Sequence, residues 1–349
     1  DRQPISVSSE EKLLKFVAKL CLKGEPLPVA FSKARELGLL RGLNGDQMYE
    51  KAREFLLYFN SLPGDLDEKV RAFLKGEGRP SFPDWAEREY PWLRREAEAS
   101  LRRNYWLWVN PLKGNYESTL KELEVELVLE EDRDFKGLFR VLEGDPSRIR
   151  AIKEGRAVIQ DKASYAVVVA LDPKPGEIIY DMASAPGVKV ALIMAMTGNG
   201  AEVVAEELSR SRLEKEVNLL KLLNVDLDRV YLVQGDSRNA VVRRADKVLL
   251  DAPCSSSGMV SNDPSVLLRL TKERVLEFSS LQKELLRSAL SVAGEVVYSV
   301  CSLFPEEGEE VVRGFKVVPP SFGLRGDLGT RFLPSVHGTQ GFFITKVHS

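Results

Sequence analysis

Residues 247–258 read KVLLDAPCSSSG. The apolar run that opens this stretch predicts a short buried strand. It ends on a carboxylate, Asp251, followed by Pro253, the thiol of Cys254 and a set of small turn residues. A second apolar run, EVVYS at 295–299, ends in the same way beside Cys301. In an open α/β sheet, ligands sit outside the carboxyl ends of the strands. Two thiols and one carboxylate are therefore expected at one edge of one sheet.

The flanking segments alternate regularly. Strands are expected at 178–180, 203–205, 230–233, 248–250 and 296–298, and helices at 164–171, 188–196, 209–223 and 272–292. Apolar strands alternating with helices predict an α/β fold with a doubly wound, mostly parallel sheet over 161–349. A closing strand is expected at 341–346.

The chain before this domain reads differently. Residues 1–83 form an expected helical domain, with helices at 9–22, 28–37, 45–61 and 66–74 and a Gly/Pro-rich joint, GEGRPSFP, at 76–83. Residues 84–160 are expected to hold a linker helix and a small α+β unit. Its strands fall at 105–109, 124–129 and 138–142, and its helix at 116–123. Trp85, Trp92, Trp106 and Trp108 lie near Arg94, Arg95, Arg102 and Arg103. Aromatics beside arginines can stack on nucleic acid, but glutamates interleave here, and core positions are the stronger expectation. Cys21 falls on an apolar helical stripe and is expected to be a core thiol.

Composition narrows the chemistry. With 50 basic and 52 acidic residues in 349 there is no global nucleic-acid signature. Three cysteines are too few for a disulfide framework, and two histidines make a zinc site an unlikely use of them, so no metal is expected. A reducing cytoplasm follows from the cysteine count. No membrane span is expected, since no apolar run approaches ~20 residues. No coiled-coil pattern is present, so a monomer is expected. The chain starts at Asp1, and 310–320 is short for a helix plus a strand, so missing residues are expected at both places.

The first βα turn, DMASAPGVKV at 181–190, is built of small residues. Ala183, Ser184, Ala185 and Gly187 let the backbone approach a ligand closely. The dinucleotide signature G-x-G-x-x-G is absent, which weighs against NAD. Glu207 follows the second strand, where an acid can accept hydrogen bonds from ribose hydroxyls. Asp236 follows the third strand and can meet a base or amine. Turn, acid and acid in this order fit S-adenosylmethionine.

The thiols suggest what is methylated. Carbon 5 of cytosine is too weak a nucleophile to take a methyl group unaided. A thiolate added at carbon 6 makes carbon 5 enamine-like. An acid near ring nitrogen 3 stabilises the adduct, so Asp251 has to be protonated or share a proton there. A second thiol can assist the elimination that follows.

Three segments, DMASAPGVK, LLDAPCSSSG and YSVCSLFPEEGEE, together resemble the signature motifs of the Sun/Fmu (Nop2/Sun-type) family of RNA cytosine-C5 methyltransferases. RFLPSVHGTQGFFITK resembles that family's closing strand, and WLWVNPLK and AVIQDKASYAV its RNA-binding subdomain and the entry to its catalytic domain. The resemblance spans about 105–346. It implies a Rossmann-like class I methyltransferase domain, preceded by an α+β RNA-binding subdomain. It implies that Cys301 is the nucleophile, that Cys254 assists product release, that Asp251 contacts the cytosine, and that Lys189 is the lysine of the first motif. It maps the cofactor segment onto Ala183, Ser184, Ala185, Pro186, Gly187 and Lys189, with Glu207, Arg212, Asp236 and Asp251 beyond. The helical region stands where bacterial ribosomal-RNA members carry a NusB-like domain, which favours ribosomal over transfer RNA. The chain departs from the family in ASAPGVK for AAPGGK, in YSVCS for YSTCS and in FPEEG for NPEEN. None of these removes a catalytic group.

Two other functions compete. A DNA cytosine methyltransferase would attack from the Pro-Cys at Cys254 and leave Cys301 unexplained. A non-catalytic RNA-binding assembly factor would keep the fold without needing Asp251, Cys254, Cys301 and Lys189.

Overall fold

The computed structural model describes residues 7–349, which form two compact units. The first unit comprises the chain up to Arg103 together with Ser255–Val275 and Leu333–Gly338. Its helices are α1 (Ser9–Leu22), α2 (Leu27–Glu36), α3 (Gly45–Tyr58), α4 (Leu66–Leu74), α5 (Asp84–Glu89) and α6 (Leu93–Ala99). Three of them start where a short polar side chain caps the first turn. Ser8 accepts from the N–H of Glu11, Asn44 from that of Gln47, and Asp65 from that of Glu68. The apolar stripes they present, Leu13, Leu14, Val17, Phe55, Leu56 and others, pack into one core. Cys21 lies in that core with no exposed surface, and burial pushes its thiol up to about 12, with Asp263 adding to the effect. It is the core thiol expected. Trp85 donates its indole N–H to the carbonyl of Leu270, and Trp92 packs against Tyr90.

The second unit, Asn104–Cys254 with Leu276–Phe332 and Thr339–Ser349, carries two sheets. The smaller sheet is built from β1 (Tyr105–Val109), β2 (Val128–Glu131), β3 (Leu138–Glu143) and β4 (Ala157–Ile159), with α7 (Tyr116–Glu126) and α8 (Arg150–Lys153) between them. All its pairs are antiparallel, in the order β2-β3-β1-β4. Here the sequence misled in two ways. The strand expected from 124 begins only at Val128, because the helix continues to Glu126 with Leu123 as its buried anchor. The fourth strand was not foreseen, being only three residues inside a charged segment. Trp106 and Trp108 are 2% and 3% exposed, so both are core residues and not stacking platforms.

The larger sheet follows α9 (Lys162–Leu171). Its first part alternates β5 (Ile178–Asp181), α10 (Val188–Met196), β6 (Glu202–Glu207), α11 (Arg210–Leu222), β7 (Val230–Gln234), β8 (Lys247–Asp251), α12 (Lys272–Leu290) and β9 (Glu295–Val300). These five strands are parallel, in the order β9-β8-β5-β6-β7. The chain winds from β5 outward to β7 and then returns to β8 on the other side, so the topological switch lies between β5 and β8. This is the Rossmann-like arrangement expected. It is extended by α13 (Glu309–Val312), β10 (Lys316–Val318), β11 (Leu324–Arg325), β12 (Thr330–Phe332) and β13 (Phe342–His348), which pair antiparallel and give nine strands in all. The stretch 310–320, expected to be too short, thus holds most of a helix and a strand in abbreviated form. Among the described residues no helix is long and apolar enough to cross a membrane, and no group of three or more His, Cys, Asp or Glu could hold a metal ion.

Candidate active site

The carboxyl edge on either side of the switch gathers the residues singled out in the sequence. β8 ends on Asp251 and β9 on Val300, and their register sets Asp251 opposite Ser299. The loops that follow bring the Sγ atoms of Cys254 and Cys301 to 3.3 Å from one another. That is hydrogen-bond distance between two free thiols, either of which can donate, since a disulfide measures about 2.05 Å. Both cysteines are half-buried. Each loop is held from beneath. Gln282 of α12, with no exposed surface, donates to the carbonyl of Pro253 at 2.8 Å. Ser302 donates to the buried carboxylate of Glu307, and the guanidinium of Arg331 donates to the carbonyls of Ser302 and Phe304.

Lys189 reaches this pair of loops from the first turn of α10. Its ammonium lies 2.7 Å from Oδ2 of Asp251, while Ser299 donates its hydroxyl to Oδ1 at 2.7 Å. Burial works against the charge on Lys189, but Asp251 outweighs it by charge and hydrogen bond, aided by Cys301 and Asp181, and the net effect is upward. The cation that faces Asp251 is the Lys189 ammonium. The Lys189 ammonium also sits 5.9 Å from the centre of the Phe342 ring.

The turn after β5 is built as the sequence suggested. Gly187 has φ +103°, a conformation that favours glycine, and a Cβ there would lie 2.7 Å from Cγ of Glu216. The Ala185–Pro186 peptide is cis. The N–H of Ala183 donates to Asp181, and that of Ser184 to the carbonyl of Glu206. Arg212 donates to the carbonyl of Ala185 at 3.4 Å and lies 3.8 Å from Glu207. Glu207 accepts from the N–H of Ser209, which caps α11. Asp236 stands further out. It is half-buried and held by hydrogen bonds from the guanidinium and the backbone N–H of Arg238, which lower its carboxyl below the usual range.

Three acids escaped the sequence reading. Asp181 is 2% exposed, and burial first, then the charge of Glu216, push its carboxyl up to about 8. Glu206 is fully buried and accepts the hydroxyls of Tyr180 and Ser237, which tie β5, β6 and the loop after β7 together. Glu216 is also fully buried, and desolvation pushes it up to about 7. Its Oε2 accepts from Ser184 at 2.8 Å, while its Oε1 is buried without a hydrogen-bond partner. The residues present fit S-adenosylmethionine: a glycine turn at a helix N-terminus, acids at the ends of successive strands and an unsatisfied buried carboxyl oxygen beside them.

A parallel switch-point sheet with this turn and these acids defines the class as a Rossmann-like methyltransferase fold. Residues 168–348, more than half of the chain, match the model of the family 16S rRNA methyltransferase RsmB/F, and the chain belongs to that family. It is 34% identical over 220 residues to the human 28S rRNA (cytosine(4447)-C(5))-methyltransferase, covering 55% of this chain and 27% of that protein. It is 26% identical over 346 residues to ribosomal RNA small subunit methyltransferase B of Citrobacter koseri, covering 91% of this chain and 75% of that one. The chain thus spans only about a quarter of the human relative. Among solved structures, a methyltransferase homolog protein from Pyrococcus horikoshii is similar at 28% identity and a TM-score of 0.63, covering 89% of this chain and 97% of that one.

Proposed function

We propose that this protein is an S-adenosylmethionine-dependent RNA methyltransferase that makes 5-methylcytosine, with ribosomal RNA the favoured substrate. The observation that carries the reading is the pair of thiols 3.3 Å apart beside the Lys189–Asp251 ion pair. The human relative's name specifies rRNA cytosine-C5 methylation and the Citrobacter koseri relative's name ribosomal RNA methylation, and both support the substrate class.

Ala183, Ser184, Ala185, Pro186 and Gly187 would hold the cofactor by backbone approach. Glu207 would take its ribose, and Arg212, Asp236 and Asp251 would complete the pocket. S-adenosylmethionine supplies an electrophilic methyl group there. Cys301, as thiolate, forms a bond to carbon 6 of an unpaired or flipped-out cytosine. Asp251 and the Lys189 ammonium hold a proton at the pyrimidine edge and stabilise the charge that the addition drives onto the ring. Once carbon 5 carries the methyl group, its proton passes to the sulfur of Cys254 acting as base. The bond from Cys301 to carbon 6 then breaks and restores the double bond, with Cys254 assisting. Both thiols must stay reduced, which suits a cytoplasmic enzyme. We read 1–83 as a helical domain, 84–160 as a linker with an RNA-binding subdomain and 161–349 as the catalytic domain.

The test uses denaturing gels. Wild type, Cys254→Ala and Cys301→Ala are incubated with S-adenosylmethionine and ribosomal RNA. Cys254→Ala should accumulate a protein–RNA adduct that survives denaturation, and Cys301→Ala should not. The reverse pattern would exchange the two roles, as a DNA-type enzyme requires. No adduct and no methyl transfer on ribosomal, transfer or DNA substrates would leave a non-catalytic RNA binder.

A further inference from the structure

The turn Ser184–Gly187 is gripped from one side by a single helix. On α11, Arg212 and Glu216 stand four residues apart and so share a face. Arg212 reaches the carbonyl of Ala185, and Glu216 accepts the hydroxyl of Ser184 at 2.8 Å. The Glu216 stem also lies where Gly187 has no side chain, with its Cγ 2.7 Å and its Oε1 3.3 Å from the position of a Cβ. A carboxylate this deeply buried is costly unless fully satisfied. Yet Oε1 has no hydrogen-bond partner, and it points at the turn. A leucine or valine would pack there at no such cost. The Ser184 that it holds is one of the places where ASAPGVK departs from AAPGGK.

We propose that Glu216 is a positioning residue for the cofactor turn: from α11 it fixes Ser184, and its charge sets the affinity for S-adenosylmethionine. The proposal rests on the reading that this turn holds that cofactor. When ionised, Glu216 accepts a charge-assisted hydrogen bond from Ser184, and the turn is held as observed. When protonated, it binds Ser184 more weakly, and the turn loosens. The charged groups that face Glu216 are Asp181 at the end of β5, Glu207 at the end of β6 and Arg212 on α11, while Lys189 on α10 acts on Asp181. Because desolvation brings Glu216 to about 7, the switch between the two states falls near neutrality.

The experiment is a calorimetric titration of the full chain with S-adenosylmethionine and with S-adenosylhomocysteine between pH 6 and 8. Wild type should bind both about fivefold more tightly at pH 8 than at pH 6, the direction set by an acid that must ionise. In Glu216→Gln at least half of that dependence should vanish, with the remainder left to Asp181. Ser184→Ala, which keeps the buried acid but severs its grip, should weaken binding and flatten the profile in the same way. It serves equally if Glu216→Gln fails to fold. A slope in both variants equal to that of wild type would overturn the proposal. So would a slope seen with S-adenosylmethionine alone, because S-adenosylhomocysteine lacks the sulfonium and direct charge attraction would then be the cause. Wild type that binds neither ligand at any pH would overturn the cofactor reading itself, and the proposal with it.

Discussion

The two halves of the carboxyl edge treat their acids in opposite ways. At the ends of β8 and β9, Asp251 faces an ammonium at 2.7 Å and a buried hydroxyl, and its partner Lys189 is driven upward. At the ends of β5 and β6, Asp181, Glu206 and Glu216 are buried among neutral donors: a backbone N–H, a phenol and two serine hydroxyls. The first arrangement sets a carboxylate against a cation and a hydroxyl donor. The second leaves Asp181 at about 8 and Glu216 at about 7, where a small change in environment alters the charge.

The hardest test of this contrast is to break the ion pair. Lys189→Met should leave Asp251 without its cation, lower methyl transfer by about a hundredfold or more and cost about 2 kcal/mol of stability. Single-turnover kinetics and urea unfolding measure the two effects. Transfer within a fewfold of wild type would mean that Lys189 serves structure alone.

Next in size is the pH dependence of stability in the neutral half. Asp181 is an acid whose folded pKa lies above its unfolded value. Above about pH 4 the unfolded chain therefore binds fewer protons than the native state, and stability falls as pH rises towards 8. Asp181→Asn removes that loss, so its stability relative to wild type should be about 4 kcal/mol more favourable at pH 9 than at pH 5. Urea midpoints at the two values decide it. An effect of equal size at both would mean that Asp181 stays ionised at each.

The ion-paired half was largely legible in the sequence, and the neutral half was not. Asp251, Cys254 and Cys301 stand out because each ends or follows a short apolar run that reads as a buried strand, and strand ends define an edge. Lys189, in the first turn of α10, stands out only through the resemblance of DMASAPGVK to the family's first motif. Glu206 and Glu207 are adjacent in EVVAEE, and the sequence does not tell which one turns inward beneath Tyr180. Both are buried, Glu206 fully and Glu207 with 5% of its surface exposed. Glu216 is hidden better still. It sits in RSRLEKEVNLLKL, a charged helix that exposes most of its side chains, and nothing local separates it from Glu214. Only the close approach of Gly187, a tertiary fact, singles it out. The helical unit was legible for the opposite reason. Its caps at Ser8 and Asp65 and its apolar stripes are local signals, and α1 and α4 begin and end where they were expected. The antiparallel strands β10, β11 and β12 are two or three residues long, too short to carry a period.

The smallest effect expected also separates the halves most cleanly. Ser299 is fully buried and donates to the Asp251 oxygen that Lys189 does not occupy. Ser299→Ala removes one hydrogen bond to a charged acceptor that keeps its ammonium partner, so the cost is about 1–2 kcal/mol in stability. The fall in transfer should be about tenfold or less. If the two halves act separately, this variant should bind S-adenosylmethionine with the same pH profile as wild type, because Ser299 touches none of the groups around Ser184. A calorimetric titration at pH 6 and pH 8 reads this directly. A changed profile would show that Asp251, one of the charges acting on Asp181, passes the disturbance across the switch point and that the edge titrates as one coupled set.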